Sequence, residues 1–160
     1  MNDFKAESTG RERLNWPETA LRLAFDIAKY RSQDPFVQVG AVAIKVDGSL
    51  VVGYNGAPSG INIDWSDRDE RRKRVLHAEA NVLNFIKPKE ASFLAVTHLP
   101  CSECIKLICQ KQIRDVYYSF VLDGYNNQLS YKLAEEFNIK LHKKVIEKQL
   151  TYSLSGVQYS

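Results

Sequence analysis

The residues best suited to chemistry lie in two short motifs of the chain. His77, Cys101 and Cys104 offer one imidazole and two thiolates, a donor set that suits Zn²⁺ and leaves the fourth tetrahedral position for water. Glu79 lies two residues after the histidine and offers a carboxyl group as acid and base. Together these four side chains predict a catalytic metal site with Zn²⁺ as the cofactor.

A count of formal charges explains why the carboxyl group is needed. Two thiolates and a neutral imidazole cancel the charge of Zn²⁺, whereas a three-histidine site keeps its charge and lowers the pKa of its water to about 7. A neutral site acidifies water less, so a neighbouring base has to accept the proton. Glu79 is the candidate catalytic residue, and it can return protons to a ring nitrogen and a departing amine.

Both motifs are predicted to lie where the chain enters a helix, with helices expected over 78–86 and 102–111. Helix N-termini carry unpaired N–H groups and partial positive charge, which favour the thiolate form of cysteine. Cysteines three positions apart share one face of a first turn. His77 and Glu79 are two residues apart, and inside a regular helix this spacing would point their side chains away from each other. We therefore place His77 at the helix boundary and Glu79 in the first turn.

Competing interpretations of the motifs are weaker. A structural zinc site needs a fourth ligand, and Cys109 falls off the face that carries the other cysteines, so we interpret it as core. We interpret His98 as the end of a strand in preference to a pocket residue, and His142 as a surface residue. A redox role for the cysteine pair leaves His77 and Glu79 unexplained.

The bulk properties fit one ordinary domain. The chain has 160 residues, of which 44% are hydrophobic and 26% charged, with a formal net charge of +3. A chain of this length can bury one hydrophobic core. The net charge alone is too small to indicate nucleic-acid binding. We therefore expect a single domain over 1–160, with 1–15 as a flexible arm and 145–160 as a C-terminal tail.

The sequence also predicts the compartment. No apolar run reaches the length of a membrane span, and the first residues lack the apolar core of a signal peptide. We therefore expect a cytoplasmic protein without a membrane partner. In such a reducing compartment, closely spaced cysteines indicate metal or redox chemistry more often than a disulfide.

The pattern of elements predicts an α/β fold. Asp47-Gly48 separates two strand-like runs, 39–46 and 50–54, which is a strong indication of a hairpin. From the third strand onward, strands alternate with helices, a pattern typical of parallel pairing. The remaining predicted elements are helices over 16–32 and 129–137 and strands over 93–99, 116–120 and 139–141.

Two further stretches leave alternatives open. The loop 53–60 is rich in glycine, so its backbone can approach a ligand closely or simply connect two elements at the surface. Residues 67–74 are dense in charge and end in four consecutive basic residues. We favour a solvated face there over a phosphate or nucleic-acid contact, because acidic residues are interleaved just before the basic run.

Over about residues 16–125 the chain resembles the deoxycytidylate (dCMP) deaminase family of the cytidine deaminase-like superfamily. Besides the two zinc motifs, the marks are Arg31-Ser32-Gln33-Asp34-Pro35, Gln38-Val39-Gly40-Ala41 and Gly53-Tyr54-Asn55-Gly56-Ala57-Pro58-Ser59-Gly60. The resemblance implies a three-layer α/β/α sandwich around a five-stranded mixed sheet. It also implies a zinc-dependent hydrolase that converts dCMP and water to dUMP and ammonia.

The resemblance further implies contacts with the substrate. Asn55 would contact the deoxyribose, the backbone of Ala78 the pyrimidine O2, and the carbonyl of Pro100 the leaving amine. Tyr125 is the nearest candidate for the aromatic ring that stacks on the base. The cation for the phosphate is not assigned by this resemblance; the candidates are Arg31, Lys87 and Lys89, each of which we favour as an ordinary surface charge.

Regulation and assembly are also implied by the resemblance. The glycine-rich loop would take part in binding dCTP as activator and dTTP as inhibitor, with Gly53, Tyr54, Gly56, Arg31 and Ser32 as candidate contacts. Many family members are hexamers, so we expect a homo-oligomer. The alternatives are an enzyme that accepts both dCMP and dCTP, a tRNA or DNA base deaminase, and a non-catalytic nucleotide-sensing domain.

Overall fold

A computed structural model describes residues 13–146 together with the backbone of two short strands near the C-terminus. Residues 1–12 of the predicted arm therefore lie outside the described residues, and so does most of the predicted tail. Within the arm, Asn15 caps the first helix, because its side-chain oxygen accepts a hydrogen bond from the Glu18 N–H at 3.0 Å. The two short strands, Ser153–Leu154 and Val157–Gln158, pair antiparallel with each other.

The described part contains five helices and a five-stranded sheet. The helices are α1 (Trp16–Arg31), α2 (Arg68–Arg74), α3 (Ala78–Leu83), α4 (Ser102–Gln110) and α5 (Asn127–Glu136). The strands of the sheet are β1 (Gly40–Lys45), β2 (Leu50–Tyr54), β3 (Ala91–Val96), β4 (Asp115–Tyr118) and β5 (Lys140–Lys143). The strand order is β2-β1-β3-β4-β5.

The sheet is mixed, as expected. β1 pairs antiparallel with β2 and β3, which confirms the predicted hairpin. β3, β4 and β5 pair parallel, which confirms the inference from alternating strands and helices. The carboxyl ends of these parallel strands meet at one edge of the sheet, and that edge lies next to the N-terminus of α4.

Helices cover both faces of the sheet, so the three-layer α/β/α sandwich is confirmed. On one face, Leu21 and Ala24 of α1 are fully buried against Val42 and Ile44 of β1. Gly40 allows this close packing, because a Cβ there would lie 2.0 Å from the Ala24 carbonyl oxygen. The second core lies on the opposite face and includes Ala41, Ala43, Val82, Ile105 and Ala134 from β1, α3, α4 and α5.

The helix that carries the catalytic candidate is held close to the hairpin. A Cβ at Gly53 of β2 would lie 2.7 Å from Val82 Cγ2 and 3.0 Å from the Ala78 carbonyl oxygen. A side chain at this position would therefore push α3 away from the sheet. Because Gly53 has no side chain, the first turn of α3 lies directly beside β2, the strand that leads into the glycine-rich loop.

The ends of some elements differ from the sequence prediction. α3 ends at Leu83, three residues before the predicted end, and Asn84 caps it. α5 begins two residues earlier than predicted, because the Asn126 side chain accepts a hydrogen bond from the Leu129 N–H at 3.1 Å. In the described part of the chain, none of the helices has the length and apolar composition needed to cross a lipid bilayer.

Candidate active site

The three predicted metal ligands come together at two helix N-termini. His77 is the N-cap residue of α3, Cys101 is the N-cap residue of α4, and Cys104 lies in the first turn of α4. Their ligand atoms all lie within 4.8 Å of one another. His77 Nδ1 is 3.5 Å from the Cys101 Sγ and 3.4 Å from the Cys104 Sγ. The predicted boundary position of His77 is confirmed.

The chemistry of this donor set fits Zn²⁺. A hydrogen bond from the Cys104 thiol lowers the pKa of Cys101 to about 4, while the same pairing and burial raise the pKa of Cys104. The hydrogen bond with Cys101 also raises the pKa of His77. Two sulfurs and a ring nitrogen this close together form a donor set that suits a borderline-soft cation such as Zn²⁺.

Glu79 lies in the first turn of α3, as predicted, and its side chain is almost fully enclosed. Only 4% of the residue is exposed. Burial raises the pKa of Glu79 above that of an ordinary glutamate. A carboxyl group in this position is able both to accept a proton and to hold it for a later transfer.

Two of the metal ligands, His77 and Cys101, line a cavity of about 330 Å³ together with Glu79, a volume within the range typical of small-molecule sites. The zinc and base motifs contribute His77, Ala78, Glu79 and Cys101 to its lining. The remaining lining residues are Asp34, Val37, Val39, Asn55, Arg68, Arg71, Arg72, Val75, His98, Leu99, Leu122, Asp123, Tyr125 and Asn127. A pocket of this size accommodates one nucleotide rather than a folded nucleic acid.

Asn55 faces this cavity from a fixed position. Its side-chain oxygen accepts hydrogen bonds from the Ser32 hydroxyl and, at 3.0 Å, from the Val39 N–H. Its amide nitrogen donates to the Val37 carbonyl at 2.8 Å. One N–H of the amide is left for a ligand. Ser32, which the resemblance placed at an effector site, supports Asn55 in this structure.

Only some of the other predicted binding residues line the cavity. Ala78 and Tyr125 line the cavity, whereas Pro100 is buried beside Cys101 and is not among the lining residues. None of the candidate effector contacts is among the lining residues, although Ser32 hydrogen-bonds to one lining residue, Asn55. The Arg31 guanidinium lies 5.8 Å from the centre of the Tyr54 ring, outside this lining.

The glycines of the loop have a packing role in this structure. Gly53 lets α3 approach β2, as described above. Gly56 forms an isolated bridge with Leu76, the residue just before the first zinc ligand. A Cβ at Gly56 would lie 2.6 Å from the Gln33 Oε1, the atom that accepts a hydrogen bond from the Ala57 N–H. The glycine-rich loop is thereby fixed against the segment that leads into the metal site.

Sequence reasoning missed three arginines of α2. Arg68 and Arg72 are exposed, as the preferred solvated face predicts, but they and Arg71 also line the cavity. The three candidate phosphate cations, Arg31, Lys87 and Lys89, are exposed and are not among the lining residues. The available clue was helical spacing, because positions i, i+3 and i+4 lie on one face of a helix.

His98 also lies in the cavity, contrary to the interpretation we preferred from the sequence. Thr97 is fully buried, and its hydroxyl accepts a hydrogen bond from the Gly40 N–H at 3.2 Å. The same oxygen is 2.7 Å from His98 Nδ1. A buried hydroxyl needs an acceptor for its own proton, so Thr97 donates to Nδ1 and the His98 Nε2 carries the ring hydrogen.

The half-buried position of His98 predicts a pH dependence of stability. Burial lowers the pKa of His98 to about 4, whereas an unfolded histidine has a pKa of about 6.5. As pH falls from about 6.5 to about 4, the unfolded chain binds the proton first, so the free energy of unfolding decreases. For this partly buried ring the loss is below about 1.4 kcal/mol per pH unit.

Urea unfolding of the protein and of His98→Gln at pH 7 and pH 5 tests this expectation. The variant should lose less stability between the two pH values, because glutamine does not titrate. Equal losses for both proteins would contradict the assignment of a half-buried, neutral His98.

An α/β/α sandwich with a His-Cys-Cys ligand set and a buried glutamate at two helix N-termini defines the class of zinc-dependent hydrolytic deaminases. The chain belongs to the family described as the cytidine and deoxycytidylate deaminase zinc-binding region, whose model matches residues 14–120. That match includes both zinc motifs and Glu79. The predicted zinc chemistry is therefore confirmed at the level of the family.

Individual relatives extend the likeness over most of the chain. The deoxycytidylate deaminase of Mus musculus is 35% identical over 157 residues, covering 84% of this chain and 86% of that protein. An uncharacterized deaminase from the luxG 3′ region of Aliivibrio fischeri is 33% identical over 147 residues, covering 89% and 90%. The dCMP deaminase of cyanophage S-TIM5, solved with dCMP and dUMP, is 27% identical with a TM-score of 0.68, covering 89% of this chain and 100% of that one.

Proposed function

We propose that this protein hydrolyses dCMP to dUMP and ammonia. The observation that carries the proposal is the cavity that joins the metal site, through His77 and Cys101, and the buried Glu79 to Asn55 and a group of arginines. A deoxyribonucleotide offers an amino-pyrimidine for the first part and a sugar and a phosphate for the second. The relatives named deoxycytidylate deaminase support the same substrate.

The proposed reaction assigns each side chain a role. His77, Cys101 and Cys104 would hold Zn²⁺, which when bound supplies Lewis-acid activation of the attacking water. Glu79 accepts a proton from that water and delivers protons to the ring nitrogen and to the departing amine. Its enclosed position keeps these transfers away from bulk solvent.

The remaining groups orient the substrate. The free N–H of the fixed Asn55 amide donates to the sugar. As the resemblance implies, the backbone of Ala78 would bind the pyrimidine O2. The carbonyl of Pro100, whose neighbours Leu99 and Cys101 line the cavity, would accept from the amino group that leaves. The Tyr125 ring lies at the cavity and stacks on the base. Orientation of this kind contributes to the rate because it removes the entropic cost of bringing the reacting groups together.

Regulation by dCTP and dTTP, assembly into a homo-oligomer such as a hexamer, and a cytoplasmic location remain predictions that accompany this proposal. The second candidate function is deamination of a base in a nucleic acid. The arginines of α2 favour it, because cations next to a base pocket also attract a phosphate backbone. The limited volume of the cavity favours the free nucleotide.

A substrate panel tests the proposal. Zinc-loaded protein is mixed with dCMP, dCTP, CMP, deoxycytidine or a cytosine-containing single-stranded DNA, each with and without dCTP or dTTP as effector. We expect ammonia release to be fastest with dCMP. If dCTP or the oligonucleotide were turned over faster, that compound would be the preferred substrate instead of dCMP. The absence of turnover with every cytosine compound would contradict an enzymatic role.

A further inference from the structure

The basic run of α2 divides into two faces. Glu70 pairs with Lys73, at 3.4 Å, and with Arg74. These three side chains lie at the surface, where one carboxylate pairs with two cations. Arg68 and Arg72 lie one helical turn apart on another face and line the cavity. The run that the sequence presents as one charged segment therefore has a solvent side and a cavity side.

The cavity side of α2 is held by aromatic rings. The Arg71 guanidinium lies 4.4 Å from the centre of the Phe36 ring and donates to the Trp65 carbonyl at 3.3 Å. The Arg72 guanidinium lies 5.0 Å from the centre of the Tyr125 ring. α2 has no buried residue, so these contacts orient Arg71 and Arg72. A guanidinium stacked on a ring keeps its N–H edge available for a ligand.

Arg68 and Arg72 converge on one point. A Cβ at Gly124 would lie 3.1 Å from Arg68 Nη2 and 3.5 Å from Arg72 Nη2. Gly124 has a φ of +84°, a conformation that glycine adopts easily, so the turn can pass close to both guanidinium groups. Among the described residues, neither arginine has a carboxylate partner within ion-pair distance.

The carboxylates near this point form no ion pair with Arg68 or Arg72 in the described part of the chain. Asp34 and Asp123 also line the cavity. The Asp34 Oδ1 already accepts hydrogen bonds from the Phe36 N–H at 2.8 Å and the Val37 N–H at 3.2 Å. Asp123 is exposed and forms no ion pair within the described range. Two unpaired guanidinium groups next to each other repel, and a dianion placed between them would relieve that repulsion.

We infer that Arg68 and Arg72 bind the 5′-phosphate of the substrate and so make the enzyme select a nucleoside monophosphate over the nucleoside. This inference rests on the proposed function. A guanidinium group matches phosphate with two parallel N–H donors, which gives both affinity and geometry. The same cavity is lined by His77, Cys101 and Asn55, so the base, sugar and phosphate each have a matching part of one pocket.

The experiment compares substitutions on the two sides of the same helix. Arg68→Gln, Arg72→Gln and the double variant are measured against Lys73→Gln and Arg74→Gln, which remove a charge from the solvent side. kcat/KM is determined for dCMP and for deoxycytidine at low and high salt. We expect each cavity-side change to lower the ratio of dCMP to deoxycytidine by about 10- to 100-fold, mainly through KM for dCMP.

The solvent-side changes should leave this ratio within about 2-fold of that of the unmodified protein, because exposed charges contribute little. Arg72→Lys keeps the charge but loses the paired donors, so it should recover part of the ratio. The KM of the unmodified protein for dCMP should also rise with salt, more steeply than that of the double variant.

The outcomes separate this inference from the proposed function. If the unmodified protein deaminates dCMP but all four single variants show the same ratio, the phosphate site lies elsewhere. Equal losses for dCMP and deoxycytidine would show that the arginines act on the fold instead. If deoxycytidine turns over too slowly, inhibition by dUMP and by deoxyuridine gives the same ratio. No turnover of any cytosine compound contradicts the proposed function itself.

Discussion

Replacement of Glu79 by glutamine is expected to lower kcat for dCMP by about 10²- to 10⁴-fold, the usual contribution of a positioned acid and base. Glutamine has nearly the same size and shape, so the first turn of α3 should keep its packing. The amide cannot accept the proton of the attacking water. The variant should therefore hold its zinc and bind the nucleotide while the chemical step becomes slow.

Because Glu79 is buried, this substitution should affect catalysis without affecting folding. The residue is 4% exposed, and burial raises the pKa of its carboxyl group. A neutral amide is at least as easily enclosed as a carboxylate, so the folded state should not be weakened. The losses should appear in kcat with little change in KM, which distinguishes a proton-transfer role from a role in binding.

Glu103→Gln is the matched control. Glu103 lies in the first turn of α4 between the two cysteine ligands, and its side chain is 76% exposed and pairs with Lys106 at 2.8 Å. This control removes the same charge close to the metal site but outside the cavity, so kcat should stay within about 2-fold. A zinc-loaded Glu79→Gln variant with nearly full turnover would contradict the mechanism.

The residues that could be predicted from the sequence are those whose position depends on local structure. His77 and the two cysteines lie at helix starts, and the rules for helix N-termini fix where such side chains point. The hairpin and the parallel strands follow from turn chemistry and from the alternation of elements. Because the metal site needs only two helix starts at one end of the sheet, these local inferences were enough.

The residues that the sequence did not assign to the site are those whose surroundings come from distant parts of the chain. Arg68 and Arg72 have the polarity of any exposed helix face, and a charge pattern does not distinguish bulk water from a water-filled cavity. Their environment is set by Tyr125 and Gly124, more than fifty residues away. The spacing of residues along α2 carries no information about that contact.

His98 illustrates the same limit at shorter range. As the residue after Thr97, it was expected to end a strand, and it does form an isolated bridge with Phe120. Its ring reaches the cavity because β3 and β4 end side by side, so residues beyond the strand ends line the same opening. The direction of a side chain beyond a strand end depends on the neighbouring strand, which pairs with β3 only after the chain has passed through α4.

Replacement of Cys104 by serine is expected to remove zinc and activity together. Cys104 is 2% exposed and lies 3.4 Å from His77 Nδ1. A serine hydroxyl stays protonated at neutral pH and is a poor ligand for Zn²⁺, so two ligands remain where catalytic sites use three. Metal analysis should find about one zinc per chain in the unmodified protein and close to none in the variant.

The same substitution should change how a chelator acts on stability. A metal that binds only the folded state stabilises it by about 4 kcal/mol when the free metal is 1,000 times its Kd. The chelator should therefore lower the thermal midpoint of the unmodified protein by several degrees. It should leave that of Cys104→Ser unchanged, because this variant starts without the metal.

Cys109→Ser is the control for the loss of a thiol as such. Cys109 belongs to the same helix and is half-buried, but it is outside the ligand group formed by His77, Cys101 and Cys104. Its serine variant should keep about one zinc, and the chelator should still lower its thermal midpoint. If Cys104→Ser retained full zinc and activity, the metal would have to bind elsewhere, and the pairing of Glu79 with a metal-activated water would lose its basis.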